Sequence, residues 1–273
     1  MRLLKQLVPV VLVAFAGAAI VGAVQGSPLL TLVLGVATAA LAVFVYARVV
    51  RWSERRAPVE VAGRGAVAAV GRGLLIGAGM FAAVIANIAF LGGYRVDGLG
   101  SVTGAAGLFG FMAAAAVTEE LMFRGILFRI VEERTGTWIA LVLTGLVFGL
   151  MHLGNQHASL WGAIAIAVEA GGMLAAAYAA TRTLWVPIGV HFGWNFAAAG
   201  VFGTEVSGNG ATQGLLHGVT SGPAVLTGGD FGPEASPYAV VFGLLLTVVF
   251  MWLARRRGNV VPLRRGATAT LAQ

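Results

Sequence analysis

The chain has 273 residues, of which 58% are hydrophobic and only 11% charged, and its mean hydropathy is +0.88. A soluble domain usually carries about 25% charged residues, so this composition excludes an ordinary soluble protein and indicates a polytopic helical membrane protein. The absence of cysteine excludes disulfides and cysteine nucleophiles, and the formal charge of +7 does not indicate nucleic-acid binding, because the basic residues form short clusters between apolar runs.

A membrane-spanning helix needs about 20 apolar residues. Eight runs meet or approach this length, and the fifth and seventh are short. The predicted fold is therefore all-α, a polytopic membrane bundle with about eight transmembrane helices. The predicted spans, in chain order, are Leu7–Val24, Leu29–Val49, Gly73–Gly92, Ala105–Ile130, Trp138–Leu153, Leu160–Ala180, Val186–Phe202 and Tyr238–Leu253.

The charge distribution supports this count. With the N-terminus inside, 16 of the 18 Lys and Arg residues fall on the inner side, Arg264 and Arg265 among them, while Arg124 lies within a span and Arg95 outside. The positive-inside rule then supports eight spans with both termini cytoplasmic. The expected location of this multi-pass protein is the plasma membrane of a bacterium. We expect a single integral membrane domain over residues 1–273, with a catalytic core at about 105–202, an outer loop at 203–237 and a cytoplasmic basic tail at 254–273.

Two connecting segments are long. The Arg-rich segment 53–72 is predicted to be either an amphipathic helix on the inner surface or an ordinary cytoplasmic loop. The outer loop 203–237 is rich in Gly, Ser, Thr and Pro, and its composition predicts irregular structure.

Three charges lie inside the fourth span, in the stretch TEELMFRG (Thr118–Gly125). An ionisable group in a bilayer core is costly unless it is paired or faces water. Glu120 and Arg124 are four residues apart, so they share a helix face and are predicted to pair. Glu119 is turned about 100° away, and we expect it to be presented to a cavity.

Two other spans repeat the four-residue spacing. FGLMH places Phe148 and His152 on one face, and HFGWN does the same for His191 and Asn195. Convergence of these polar groups with Glu119 would form a pocket suited to hydrolysis. The carboxylate would be a general base, the histidines would orient water or bind a metal that acidifies it, and Asn195 and His191 would donate to an oxyanion. Phe148 is expected to pack beneath the site.

The three motifs together resemble the CPBP or Abi family, a name that covers CAAX proteases and bacteriocin-processing or bacteriocin-immunity membrane proteins. The resemblance covers about 105–202 and extends to TRTLWVPIGVHFGWNF before the third motif. It implies an intramembrane endopeptidase acting on a membrane-associated protein or peptide, either a prenylated CAAX-type substrate or an unprenylated one. In that reading Glu119, supported by His152, activates water, His191 and Asn195 stabilise the oxyanion, and Glu120 and Arg124 form a supporting pair.

The metal question stays open at this stage. One glutamate and two histidines, His152 and His191, would suit a Zn²⁺ site with an open position, as in the family's metalloprotease reading. If Glu119 were a metal ligand, however, it would not be free to act as a base. The sequence favours slightly a mechanism that depends on glutamate and requires no cofactor.

Alternative functions are a non-catalytic membrane scaffold, such as a bacteriocin-immunity protein that works by binding, and a proton-coupled transporter. A purely structural network of Glu119, Glu120 and Arg124 is also open. Glu169 has no basic partner in its own span, and its role is not assigned. Because Glu119 precedes the cytoplasmic Arg129 by about ten residues, the site is expected nearer the cytoplasmic half. The expected partners are the lipid bilayer and a membrane protein or peptide substrate, with no nucleic acid.

Overall fold

The computed structural model describes residues 1–210 and 213–263. Arg264, Arg265 and the rest of the predicted basic tail lie outside the described residues. The described part is a helical bundle, which confirms the predicted fold class. Seven of its helices are long and apolar enough to cross a membrane. An eighth, at 185–201, consists of 11 α-helical residues followed directly by six π-helical residues.

The helices are labelled here in chain order. They are α1 (Arg2–Ala23), α2 (Pro28–Glu54), α3 (Ala66–Phe90), α4 (Val102–Thr135), α5 (Thr137–Gly154), α6 (Leu160–Thr181), α7 (185–201) and α8 (Pro237–Arg256). Two short strands, β1 (Tyr94–Leu99) and β2 (Leu216–Thr220), pair antiparallel. The composition of the outer loop predicts irregular structure. The structure differs at β2, because this part of the loop pairs with β1, which is distant in the sequence.

Serine residues begin three of the helices. The hydroxyls of Ser101, Ser159 and Ser236 accept hydrogen bonds from the backbone N–H groups of the first turns of α4, α6 and α8. Such caps satisfy donors that have no partner within the helix. Pro237 follows Ser236 at the first position of α8, where a missing N–H is tolerated.

Three helices contain a π-helical stretch. These stretches are Leu121–Phe128 in α4, Ala167–Gly172 in α6 and Phe196–Val201 in α7. In a π-helix the backbone bonds run from i to i+5, so the turn is wider and the register of the side chains shifts. Each stretch adjoins one of the polar groups within the bundle, and such bulges are frequent at functional sites.

Glycines bring α3 and α7 into backbone contact. A Cβ at Gly77 would lie 2.1 Å from the carbonyl oxygen of Val190, and a Cβ at Gly193 would lie 2.4 Å from that of Leu74. Gly73 and Gly189 make similar approaches. Small residues four apart permit this close packing of membrane helices. The contact fixes the helix that carries His191 and Asn195.

The bundle has two chemically different ends. At the first, which we call the basic end, Arg129 Nη1 donates to Glu54 at 2.9 Å and Arg129 Nη2 donates to Gln6 at 2.9 Å. Arg182 pairs with Glu132 there. These bonds join α1, α2, α4 and the turn between α6 and α7, and they show that the cationic ends of these helices lie together.

The segment 53–72 also lies at the basic end. Burial alone would raise the pKa of the Glu60 carboxyl, but hydrogen bonds donated by Arg56 and Tyr46 outweigh it and lower that pKa. Apart from the last turn of α2, the first turns of α3 and the 3-10 turn Val59–Val61, the segment is not helical. The loop alternative is therefore correct, and no separate amphipathic helix forms.

At the second end, which we call the loop end, β1 pairs with β2, which belongs to the segment 203–236. Tyr94 donates a hydrogen bond to the carbonyl oxygen of Phe202 at 2.9 Å. His157 Nδ1 lies 2.8 Å from Glu205 Oε1, so this histidine holds the loop and is not simply solvated. Trp161 donates to the carbonyl oxygen of Ala235 at 2.8 Å. The segment is thus fastened to α5, α6 and α7.

The glycine contact yields a first prediction. Gly77→Ala places a methyl group against the backbone of α7, and overpacking of this kind costs about 1–3 kcal/mol. We expect the melting temperature of the detergent-solubilised protein to fall. Gly79→Ala on the same helix is the matched control, because nothing lies within 4 Å of a Cβ there. Equal melting temperatures for the two variants would show that the close approach does not determine stability.

Candidate active site

Glu120 is the centre of the polar network within the bundle. Its Oε1 accepts a hydrogen bond from Arg124 Nη1 at 2.7 Å, the pairing that the four-residue spacing predicts. The same oxygen accepts one from His191 Nδ1 at 2.9 Å. A carboxylate has no proton to donate, so His191 carries its proton on Nδ1 and leaves Nε2 as an acceptor. Glu120 therefore orients the histidine of a different helix as well as neutralising the arginine.

Arg124 is fully buried, and both of its terminal nitrogens have partners, whereas Glu120 Oε2 has none among the described residues. Arg124 Nη2 donates to the carbonyl oxygens of Ala170 and Gly171 at 3.0 and 3.2 Å. Both carbonyls belong to the π-helical stretch of α6. The guanidinium also lies 4.6 Å from the centre of the Phe148 ring, within the range of a cation–π interaction. One arginine thereby ties α4 to α5 and α6.

Glu119 differs from its neighbour in exposure. Its side chain is 27% exposed, whereas that of Glu120 is completely buried. Glu119 Oε2 lies 3.8 Å from His191 Nε2, which is too long for a direct hydrogen bond. Glu119 is not among the residues that line the cavity described below, so the structure brings it close to His191 but not to the same cavity wall as His152 and Asn195.

Phe148 is buried among the polar groups. Its ring centre lies 4.9 Å from that of His152 and 6.1 Å from that of His191, and Phe123 packs edge-on against it at 4.9 Å. The ring separates the two histidines and supports both. This position agrees with the packing role expected for Phe148.

His152 and Asn195 line a cavity together with His191. His152 Nδ1 lies 2.8 Å from the carbonyl oxygen of Phe148, so this nitrogen carries the proton and Nε2 is again an acceptor. Asn195 is the last α-helical residue before the π-helical stretch of α7. The other lining residues are Phe148, Ile166, Ala170, Met173, Leu174, Trp194, Ser207 and Glu234.

Ser207 and Glu234 belong to the outer loop, and no sequence pattern predicts that they line the cavity. Glu234 Oε1 accepts from Trp194 Nε1 at 2.9 Å and its Oε2 accepts from Ser207 Oγ at 2.9 Å. Burial raises the pKa of Glu234, and these hydrogen bonds offset part of the increase. Trp194 lies next to Asn195 within the HFGWN motif. Its hydrogen bond is the link between the Glu234 carboxylate and the motifs.

Glu169 lies nearby in the π-helical stretch of α6. It is fully buried, and neither of its side-chain oxygens has a hydrogen-bond partner among the described residues. It is not among the residues that line the cavity.

The residues do not fit the Zn²⁺ that the family's metalloprotease reading implies. Within residues 1–210 and 213–263, no three His, Asp or Glu side chains are grouped closely enough to hold a metal. Glu120 Oε1 and the Phe148 carbonyl oxygen accept from Nδ1 of His191 and of His152, so only Nε2 of each ring could bind a metal, and the cavity wall offers two histidine ligands. A catalytic zinc site usually needs three protein ligands. The chemistry below is therefore derived from the side chains alone.

Comparison with known proteins agrees with the motifs. Residues 101–197 match the family described as type II CAAX prenyl endopeptidase Rce1-like. This match confirms the resemblance to the CAAX proteases. The Rce1-like segment contains every polar residue of the predicted site, from Glu119 to Asn195. It excludes Ser207 and Glu234.

One curated relative is similar over a shorter stretch. It is a protein of Bacillus subtilis (strain 168) named "Putative membrane peptidase YdiL", with 33% identity over 79 residues. The match covers 29% of this chain and 30% of the length of the relative. No solved structure matches the chain. The comparisons therefore support a membrane peptidase of CAAX type in general, while the roles of individual residues stay predictions.

The Glu120–Arg124 pair of the Rce1-like segment yields a second prediction. Glu120→Gln leaves Arg124 buried without its counter-charge, and breaking a buried pair in this way costs about 3–5 kcal/mol. We expect a large drop in the melting temperature. Glu133→Gln is the control, because Glu133 is 46% exposed, and exposed pairs such as those it makes with Arg2 and, at 3.5 Å, with Arg129 contribute at most about 1 kcal/mol. Equal drops for the two variants would contradict a special role for the buried pair.

A third prediction concerns Glu234. Trp194→Phe removes a hydrogen-bond donor that favours the ionised carboxylate of Glu234. We expect the free energy of unfolding to fall by about 1.5–3 kcal/mol when Glu234 is charged and by less when it is neutral. Since the pKa of Glu234 is raised above its ordinary value of 4.5, wild-type stability should fall as pH rises from 4.5 through the folded-state pKa. The melting-temperature difference between wild type and Trp194→Phe should be larger at pH 8 than at pH 5.

Trp138→Phe, an exposed tryptophan on α5, is the control for that experiment. A difference between wild type and Trp194→Phe that does not change with pH would mean that the hydrogen bond to Glu234 contributes nothing to the ionised state.

Proposed function

We propose that the chain is an intramembrane endopeptidase that hydrolyses a peptide bond of a membrane-associated protein or peptide. The observation that carries this proposal is the division between two adjacent glutamates. Glu120 is buried and held by Arg124 and His191, while Glu119 is partly exposed and free of that pair. A purely structural network would not need the second carboxylate.

In the proposed reaction Glu119 is the general base. It takes a proton from a water molecule, whose oxygen attacks the carbonyl carbon of the scissile bond. His191 Nε2, 3.8 Å from Glu119 Oε2, is an acceptor that orients the same water. The general base then passes its proton to the leaving nitrogen as the C–N bond breaks. Because Glu119 and His191 accept both protons of this water, His152 Nε2, the other acceptor of the cavity wall, supports its orientation through a second water molecule.

Asn195 is the main residue that stabilises the oxyanion in this mechanism. In their neutral forms both histidines have their N–H groups engaged, His191 with Glu120 and His152 with the Phe148 carbonyl. The side-chain amide of Asn195 has N–H donors and lines the same cavity. A preorganised donor of this kind is usually worth about 100- to 1,000-fold in rate. His191 would join it only as an imidazolium.

The proposal is tested by cleavage of a library of internally quenched peptides, prenylated and unprenylated, with protein purified in detergent. Glu119→Gln should lower the rate by at least about 100-fold, as expected for loss of a general base, with an unchanged melting temperature. Glu133→Gln, an exposed glutamate on α4, should keep full activity. Parallel reactions contain a strong zinc chelator, which should not change the rate.

Three results would contradict the proposal in different ways. Cleavage that survives Glu119→Gln would remove Glu119 from the mechanism. Cleavage that the chelator abolishes and Zn²⁺ restores would establish the metalloprotease reading. An absence of cleavage of every peptide by a folded wild-type protein would favour the non-catalytic membrane scaffold.

A further inference from the structure

The walls of the cavity come from one end of the bundle more than from the other. Besides the helices, the cavity is lined by Ser207 and Glu234, which belong to the segment 203–236 at the loop end. Asn155 donates to the carbonyl oxygen of Ser207 at 2.6 Å and Trp194 donates to Glu234 at 2.9 Å. The segment therefore forms part of the site and does not merely pass above it.

The position of His152 independently places the site towards the loop end. Helix α5 begins at Thr137, which is bonded to Glu132 at the basic end. His152 follows 15 residues later, so at 1.5 Å per residue it lies about 22 Å along the helix. It is where the regular α-helix ends and a 3-10 turn begins. The histidine of the second motif is thus at the loop end.

The opposite end is closed by charged side chains. Arg129, Glu54 and Gln6 are bonded to one another there. The Tyr46 hydroxyl lies 2.6 Å from Glu60 Oε1 and 3.0 Å from the carbonyl oxygen of Gly125. These groups are buried or nearly so, and they occupy the space between the helix ends below the site.

The cations mark which end faces the cytoplasm. Among residues 1–210 and 213–263, Arg95 is the only Lys or Arg at the loop end, and it pairs with Asp97. Arg124 is inside the bundle, and the other described cations lie at the basic end. Cytoplasmic ends of membrane helices carry the excess of Lys and Arg. The loop end is therefore the non-cytoplasmic end.

From these observations we infer that the cavity is entered from the non-cytoplasmic face. The substrate of the proposed peptidase, on whose activity this inference rests, is then a segment of a membrane-associated protein or peptide that is exposed on that face. The inference reverses the expectation that the site lies nearer the cytoplasmic half. It also separates this chain from an enzyme that receives its substrate as a cytoplasmic tail.

The orientation and the accessibility are tested first by thiol labelling. The chain has no cysteine, so single-cysteine variants need no further change. Val225→Cys and Trp52→Cys, at positions 68% and 65% exposed, report the loop end and the basic end. Ala170→Cys reports the cavity. A small, charged methanethiosulfonate that does not cross membranes is added to intact cells or to permeabilised cells.

In intact cells we expect labelling of Val225→Cys and Ala170→Cys but not of Trp52→Cys, which should react only after permeabilisation. The reverse pattern for Val225 and Trp52 overturns the orientation. Labelling of Ala170→Cys only from the cytoplasmic face, or from neither face, overturns the proposed entry.

The second test uses activity. The peptide cleaved best in detergent is remade with a sulfonated fluorophore that cannot cross a bilayer, and it is added to sealed right-side-out or inverted vesicles. Cleavage should be at least 10-fold faster with right-side-out vesicles, become equal after detergent rupture, and disappear with Glu119→Gln. Faster cleavage by inverted vesicles, or equal cleavage by both, overturns the entry side. No cleavage even in detergent would instead reject the proposed function, while the labelling still decides the entry side.

Discussion

The structure depends on one oxygen atom, Glu120 Oε1, which accepts from Arg124 of its own helix and from His191 of α7. A lone charge at this depth would be expensive, and a carboxylate–guanidinium pair removes most of that cost only if its remaining donors are satisfied. The carbonyl oxygens of α6 supply those partners. Three helices must therefore be in register before the pair is stable. The same condition places His191 beside Glu119, so that the interaction that stabilises the bundle also assembles the polar site.

The π-helical stretches make this arrangement possible. The π-helical turns in α4, α6 and α7 adjoin Glu120, Ala170 and Asn195 respectively. A wider turn leaves carbonyl oxygens available to partners from other helices, as Arg124 uses those of Ala170 and Gly171. On the far side, backbone contact between glycines of α3 and α7 limits where α7 can lie. The position of His191 is thus determined from two directions, by a hydrogen bond and by close packing.

Part of the fold and part of the candidate site could be predicted from the sequence. The spans follow from apolar length, and the Glu120–Arg124 pair follows from helical spacing, because both are local properties. The bond between Glu120 and His191 is not local, since it joins residues 71 apart in the sequence. Neither the π-helical turns nor the burial of Glu234 has a signature in composition. The position of Glu119 along α4 alone indicates a site near the cytoplasm, whereas α5 carries His152 to the opposite end of the bundle, and this non-local relation is the basis for inferring the reverse.

The unequal ends of the bundle bear on how water reaches a hydrolytic site inside a membrane. At the basic end, Arg129, Glu54 and Gln6 satisfy one another, so opening a path there would break several charge-assisted hydrogen bonds at once. At the loop end the cavity meets a segment with polar side chains, Ser207 and Glu234, that already lie against it. Both side chains are hydrogen-bonded, Ser207 to Glu234 and Glu234 to Trp194, but they already form part of the cavity wall, so water that enters there meets polar groups at the site. The direction of entry that the charges indicate is therefore also the one along which the cavity wall is polar.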